Sequence, residues 1–212
     1  MKALWEDLFR QKMATASDDP AHDPAHDLSH IERVVACAKR LATAEKAALD
    51  VVVPAAWLHD FVAIAKDDPR RSQASRISAV EAVAWLRSVD YPAEFYDDIA
   101  HAIEAHSFSA NIECRTVEAR IVQDADRLDG LGAIGLARLF IVAGLMRRQI
   151  YSDIDPFCVS RVVDDSQFTI DHIYRKLFVV ADSLKTRAGQ AEGLRRRQVI
   201  ERYLADLALE IV

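Results

Sequence analysis

The sequence predicts an all-α protein, a compact helical bundle of eight or nine helices. Three observations carry this expectation. Gly and Pro number only six each in 212 residues, so the chain has few places to turn sharply. Apolar residues recur at helical spacing, as at Val34, Cys37, Ala38 and Leu41. No stretch alternates apolar and polar residues with the two-residue period of a half-buried strand. Length and composition, 51% hydrophobic and 28% charged, suit one domain over 1–212, with residues 165–212 as a C-terminal helical extension packed on it.

The elements follow in order. An amphipathic helix is expected over 2–16, with Leu4, Leu8, Phe9 and Met13 in its apolar stripe, before the break at Asp18-Asp19-Pro20. The segment His22 to Asp27 repeats the pair His-Asp around Pro24 and reads as a loop. Within it, His26 and Asp27 read as a polar loop with a turn-making aspartate, the alternative being a contact with substrate. Ser29-His30-Ile31-Glu32 fits a capping box, which starts a helix at His30. A third helix, about 52–65, opens near Pro54 and is apolar nearly all round, which places it in the core. Lys66 to Ser72 reads as a loop rich in cations. Further helices are expected at about 73–89, 93–107, 114–127, 131–148, 165–184 and 190–210.

The net charge of −6 argues against nonspecific nucleic-acid binding, which needs a surplus of Lys and Arg. Cys37, Cys114 and Cys158 are odd in number and form no C-x-x-C pair, so reduced thiols are expected. The first residues acquire acids where a signal peptide would continue apolar. No uncharged run approaches the roughly 18 residues of a membrane span. A cytoplasmic protein with no membrane partner is expected.

The chemistry begins at His59-Asp60, inside an otherwise apolar helix. Burying a carboxylate is costly unless it is paired or binds a metal. Neighbouring helical residues point about a quarter-turn apart, so both side chains can converge on one ion beside the helix. A second apolar helix ends in Asp124-Ala125-Asp126-Arg127-Leu128-Asp129, where Asp126 follows Val122 by four residues and Asp124 and Asp129 compete with it. His30, at the start of a buried stripe, supplies a fourth ligand. Two imidazoles and two carboxylates suit one divalent cation without selecting strongly among metals; Mn²⁺ is the expectation, with Mg²⁺, Fe²⁺, Zn²⁺ or Ni²⁺ as alternatives.

The order His30, His59-Asp60, Asp126, with His-Ile-Glu-Arg-Val at 30–34 and Trp-Leu-His-Asp at 57–60, resembles the HD-domain superfamily of metal-dependent phosphohydrolases. Arg-Ser-Gln-Ala-Ser-Arg at 71–76, Ala-His-Ser-Phe-Ser-Ala at 105–110 and Gln-Asp-Ala-Asp-Arg-Leu-Asp at 123–129 resemble one bacterial branch of it, and the likeness covers nearly the whole chain. That branch is similar to enzymes that hydrolyse nucleoside or deoxynucleoside triphosphates with release of pyrophosphate. The resemblance selects Asp126, because superfamily members place this ligand directly after a small residue at a helix end. Some relatives hold two metals through extra histidines. No histidine lies between His59 and His101, so one ion is implied, with His106 in the remaining extra position near the phosphate. His101 lies more than one turn away from His106 and points elsewhere.

This resemblance implies a reaction in which the ion acidifies a water and polarises a phosphoryl oxygen, with Asp60 indispensable to catalysis. Lys66, Arg71 and Arg76, with His26 as a further candidate, would meet the phosphate chain, and His106 or Glu104 would handle the proton. Spacing alone leaves the cations at 66–76 equally readable as a solvated loop. The competing readings are a phosphomonoesterase on nucleoside monophosphates, an iron oxygenase of the same superfamily, and a noncatalytic nucleotide-binding module. Exposed apolar positions on the last two helices leave room for a homodimer.

Overall fold

Helices supply the regular structure of the computed structural model, which describes residues 2–17, 28–62, 64, 68, 70–107 and 110–211. Among these residues there is no extended strand, only an isolated bridge between Gln149 and Phe168. The chain packs as two units, Met1–Asp126 with Lys185–Ala188, and Arg127–Leu184 with Gly189–Val212. No single helix among the described residues is long and apolar enough to cross a membrane.

The first unit is built around α3 (Leu49–Leu58), buried on every side from Val51 onward. α2 (Leu28–Glu45) and α5 (Tyr96–His106) pack against it, α4 (Ala74–Ser88) covers α5, and α1 (Lys2–Ser17) lies on α3. Pro54 has no N–H, which leaves the Asp50 carbonyl without a helical donor. The Tyr91 hydroxyl donates to that carbonyl at 2.7 Å. The Tyr91 ring also meets Trp5 at 5.1 Å between centroids, and Phe9 meets Trp85 at 6.0 Å, an aromatic cluster that seats α1. α4 and α5 run antiparallel: Arg76 in the first turn of one pairs at 3.1 Å with Glu104 in the last turn of the other.

Three local expectations are corrected. α1 buries Phe9 and Met13 but leaves Leu4 74% exposed, because only every third or fourth residue can face α3. α2 begins at Leu28, so Ser29 lies within its first turn. Leu28 extends the stripe through Ile31 and Val35, and packing carries the helix past the proposed cap. α3 ends at Leu58, not 65, so His59 and Asp60 occupy the turn that follows. The cause is the His59 ring, whose Nδ1–H donates to the Ala56 carbonyl at 2.8 Å. A continuing helix would have used that carbonyl for the Asp60 N–H.

α6 (Val117–Asp129) contributes to both units. In the second, α7 (Gly132–Leu145) follows a tight turn in which Gly132 has φ 70°, a left-handed backbone that glycine adopts without strain. α8 (Thr169–His172), a π-helical turn over Ile173–Leu177 and α9 (Phe178–Asp182) form one interrupted rod, and α10 (Arg187–Glu210) closes the chain. A buried ion pair organises the long connection after α7. The Arg161 guanidinium donates to both carboxylate oxygens of fully buried Asp171 at 2.6 Å, and the Asp164 N–H donates to the same carboxylate at 2.6 Å.

Candidate metal centre

Four elements of the first unit bring titratable side chains to one place. His30 comes from the first turn of α2, His59 and Asp60 from the turn after α3, His106 from the last residue of α5, and Asp126 from α6. His30 Nε2 lies 3.5 Å from Asp126 Oδ1, His59 Nε2 lies 3.5 Å from Asp60 Oδ2 and 3.9 Å from Asp126 Oδ1, and His106 Nε2 lies 3.6 Å from Asp60 Oδ1. The His59 and His106 rings meet edge to face, 4.9 Å between centroids.

The helix ends aim these rings. The last carbonyls of a helix have no partner within it. His59 Nδ1–H donates to Ala56 O at 2.8 Å, and His106 Nδ1–H donates to Ile103 O at 2.6 Å, each three residues back. Each imidazole thereby caps its own helix, and its Nε2 is turned to the centre. Burial holds the His59 pKa below its ordinary value, against the pull of Asp60. Burial also opposes protonation of His106, but the Asp60 carboxylate outweighs it and the net shift is upward.

These donors fit a divalent cation. His59 Nε2 is fully buried and meets no hydrogen-bond partner among the described residues, yet it faces two carboxylates. A neutral imidazole presents a lone pair there, and lone pairs do not attract carboxylate oxygens. A cation among them resolves the conflict. With bonds of about 2.1 Å, two atoms on one ion lie about 3 to 4.2 Å apart, the range that the contacts to His30 and His59 occupy. His30, His59 and Asp60 offer ligand atoms all within 4.8 Å of one another.

The three aspartates of α6 separate by their contacts. Asp124 is fully buried and accepts from the N–H groups of Lys185 and Thr186 and the Thr186 hydroxyl, at 2.7 to 3.1 Å. Asp129 pairs with Arg138 at 2.6 Å. Asp126 stands beside the two imidazoles. His101 points away: its Nε2 accepts the Arg115 N–H at 3.0 Å. Arg76 and Glu104 bind each other, with Arg76 mostly exposed. The side chains of Lys66, Arg71, His26 and Asp27 lie outside the described residues. Gln123, the first residue of the 123–129 motif, carries no role in the reading from sequence. It is buried, and its side-chain amide donates to Ala105 O at 2.6 Å. Its place three residues before Asp126, on the same face of α6, was the available signal.

Known proteins share this architecture. The Bacillus subtilis protein YpgQ is 29% identical over 186 residues, covering 86% of this chain and 82% of that one. The solved structure of YpgQ in complex with ADP superposes with a TM-score of 0.77 at 27% identity, over 100% of this chain and 97% of that one. An HD-superfamily hydrolase from Bacillus thuringiensis gives 0.77 at 26% identity, over 99% and 98%. The Lin1889 protein from Listeria innocua gives 0.75 at 26% identity, over 100% and 99%. Residues 27–131, a span that contains His30, His59, Asp60, His106 and Asp126, match the HD domain family, so the chain carries an HD domain.

Proposed function

We propose that this protein is a metal-dependent phosphohydrolase of nucleotides, converting nucleoside or deoxynucleoside triphosphates to monophosphate and pyrophosphate. One divalent cation, Mn²⁺ for preference, would be held by His30, His59, Asp60 and Asp126. The observation that carries this reading is the buried His59 Nε2, facing two carboxylates with no hydrogen-bond partner among the described residues. The ADP bound by the YpgQ relative supports a phosphoanhydride as ligand. The ion would supply Lewis-acid polarisation of a phosphoryl oxygen and a more acidic water.

The chain's own groups do the rest. Asp60 turns one oxygen to His59 and the other to His106, which joins the ligand set to a proton carrier. His106 Nε2, its ring locked by the Ile103 carbonyl, would hold or move the proton of the reaction. Arg76, oriented by Glu104 at 3.1 Å, joins Lys66, Arg71 and His26 as the set that neutralises the phosphate chain.

The test loads the protein with Mn²⁺ and offers nucleoside tri-, di- and monophosphates, detecting pyrophosphate and phosphate separately. Pyrophosphate from triphosphates is the expected result. Phosphate released only from monophosphates would replace this reading with a phosphomonoesterase. Binding without turnover would leave a noncatalytic nucleotide-binding module, and two irons per chain would favour an oxygenase.

A further inference from the structure

We infer that Gln123 is a positioning residue, an amide clasp that sets His106 against the ligand set by tying the end of α5 to α6. The inference rests on the phosphohydrolase reading for its kinetic consequence and on geometry alone for the clasp itself.

The chain leaves α5 immediately after His106, since Ser107 is extended at φ −66° and ψ 130°. The carbonyls of this last turn therefore have no helical donors. Three side chains act here. The His106 ring takes Ile103 O at 2.6 Å, and Gln123 Nε2 takes Ala105 O at 2.6 Å, with the Cys114 thiol also directed at that oxygen from 3.8 Å. The first contact orients the ring within its own helix. The second fixes the backbone beside His106 to another helix, at a residue one turn before Asp126. One amide thus couples the proton carrier to a metal ligand.

The residue type supports a role beyond packing. Gln123 is 2% exposed, and its Oε1 is buried and meets no donor among the described residues. A methionine or leucine would fill the same volume without burying an amide. A polar group kept in the core against that penalty, at the junction of two site helices, is accounted for by the one strong bond it makes. The contact directions also settle the amide orientation, because only Nε2 can donate to a carbonyl.

The decisive variant is Gln123→Met, which keeps the volume and removes the donor. Misplacing a reacting group by about 1 Å costs on the order of a hundredfold in rate. The expected result is a fall of about that size in kcat, with KM, Mn²⁺ stoichiometry and melting temperature close to wild type. A merely structural role would instead lower the melting temperature and the active fraction together. A second readout does not depend on turnover: in Co²⁺-loaded protein, the ratio of paramagnetic shifts of the His106 and His59 ring protons should change in Gln123→Met. Unchanged kcat with an unchanged shift ratio would overturn the clasp. If wild type turns over no nucleotide, the functional reading fails and the shift ratio still decides the clasp. Gln123→Leu, which likewise fills the site with no donor, makes the same test should the methionine variant not fold.

Discussion

Two buried polar clusters, one in each unit, are built on opposite principles. Around Asp171 every charge is answered at hydrogen-bond distance, by the Arg161 fork and the Asp164 amide at 2.6 Å. Around His59 Nε2 the contacts run from 3.5 to 3.9 Å, longer than a good hydrogen bond, and a lone pair faces carboxylates. The first arrangement is complete in the folded chain. The second becomes favourable when a cation stands among its members. Burial of polar groups is common to both, so the informative feature is whether the chain supplies its own counter-charge.

The comparison can be broken most forcefully at Asp60. Asp60→Ala should lower kcat/KM by about a thousandfold or more while circular dichroism remains that of wild type. Full activity in that variant would end the catalytic reading. The opposite pattern is expected at Arg161. Arg161→Met leaves the Asp171 carboxylate buried without its counter-charge, with the Asp164 N–H still donating to it, which should destabilise the protein by about 3–5 kcal/mol in denaturant unfolding. Mn²⁺ uptake per folded chain should stay unchanged. Replacing both members with leucine and methionine should recover most of the loss, since a buried pair contributes little net stability.

A ligand-linked measurement sharpens the contrast. Mn²⁺ at a hundred times its dissociation constant should stabilise the native state by about 2.7 kcal/mol, read as a raised melting temperature. His59→Phe should abolish that increment and Arg161→Met should keep it. The smallest effect concerns His101. Its burial, with the Arg115 guanidinium nearby, holds the imidazole below its ordinary pKa. The unfolded chain then binds the proton more readily, so this contribution to stability is full above the unfolded value near 6.5 and is lost as pH falls below it. Unfolding midpoints between pH 7.5 and 5 should therefore decline more steeply in wild type than in His101→Gln. Equal slopes would show that the His101 contact with the Arg115 N–H carries no linkage.

Much of the fold was legible because apolar spacing reports directly on the buried face of a helix. The helices at 74–88, 96–106 and 132–145 fall close to the expected spans for that reason. What was not legible depends on contacts remote in sequence. Nothing near Asp124 reveals that Lys185 and Thr186, some sixty residues away, consume its carboxylate. Spacing alone therefore left three aspartates in competition. The end of α3 was missed for a different reason, because a side chain capping its own helix competes with the backbone and leaves the apolar pattern untouched. The Arg76–Glu104 pair likewise follows from antiparallel packing that periodicity does not specify. Lys66, Arg71 and His26 remain proposals resting on residue type and resemblance.

The central claim is that the side chains of His30, His59, Asp60 and Asp126 share one cation. Crystals grown with Mn²⁺, measured on both sides of its absorption edge, address it directly. The account predicts one strong anomalous peak per chain about 2.1–2.3 Å from Nε2 of both histidines and from an oxygen of each aspartate. A difference map with no peak among those atoms, and manganese bound elsewhere on the chain, would contradict it.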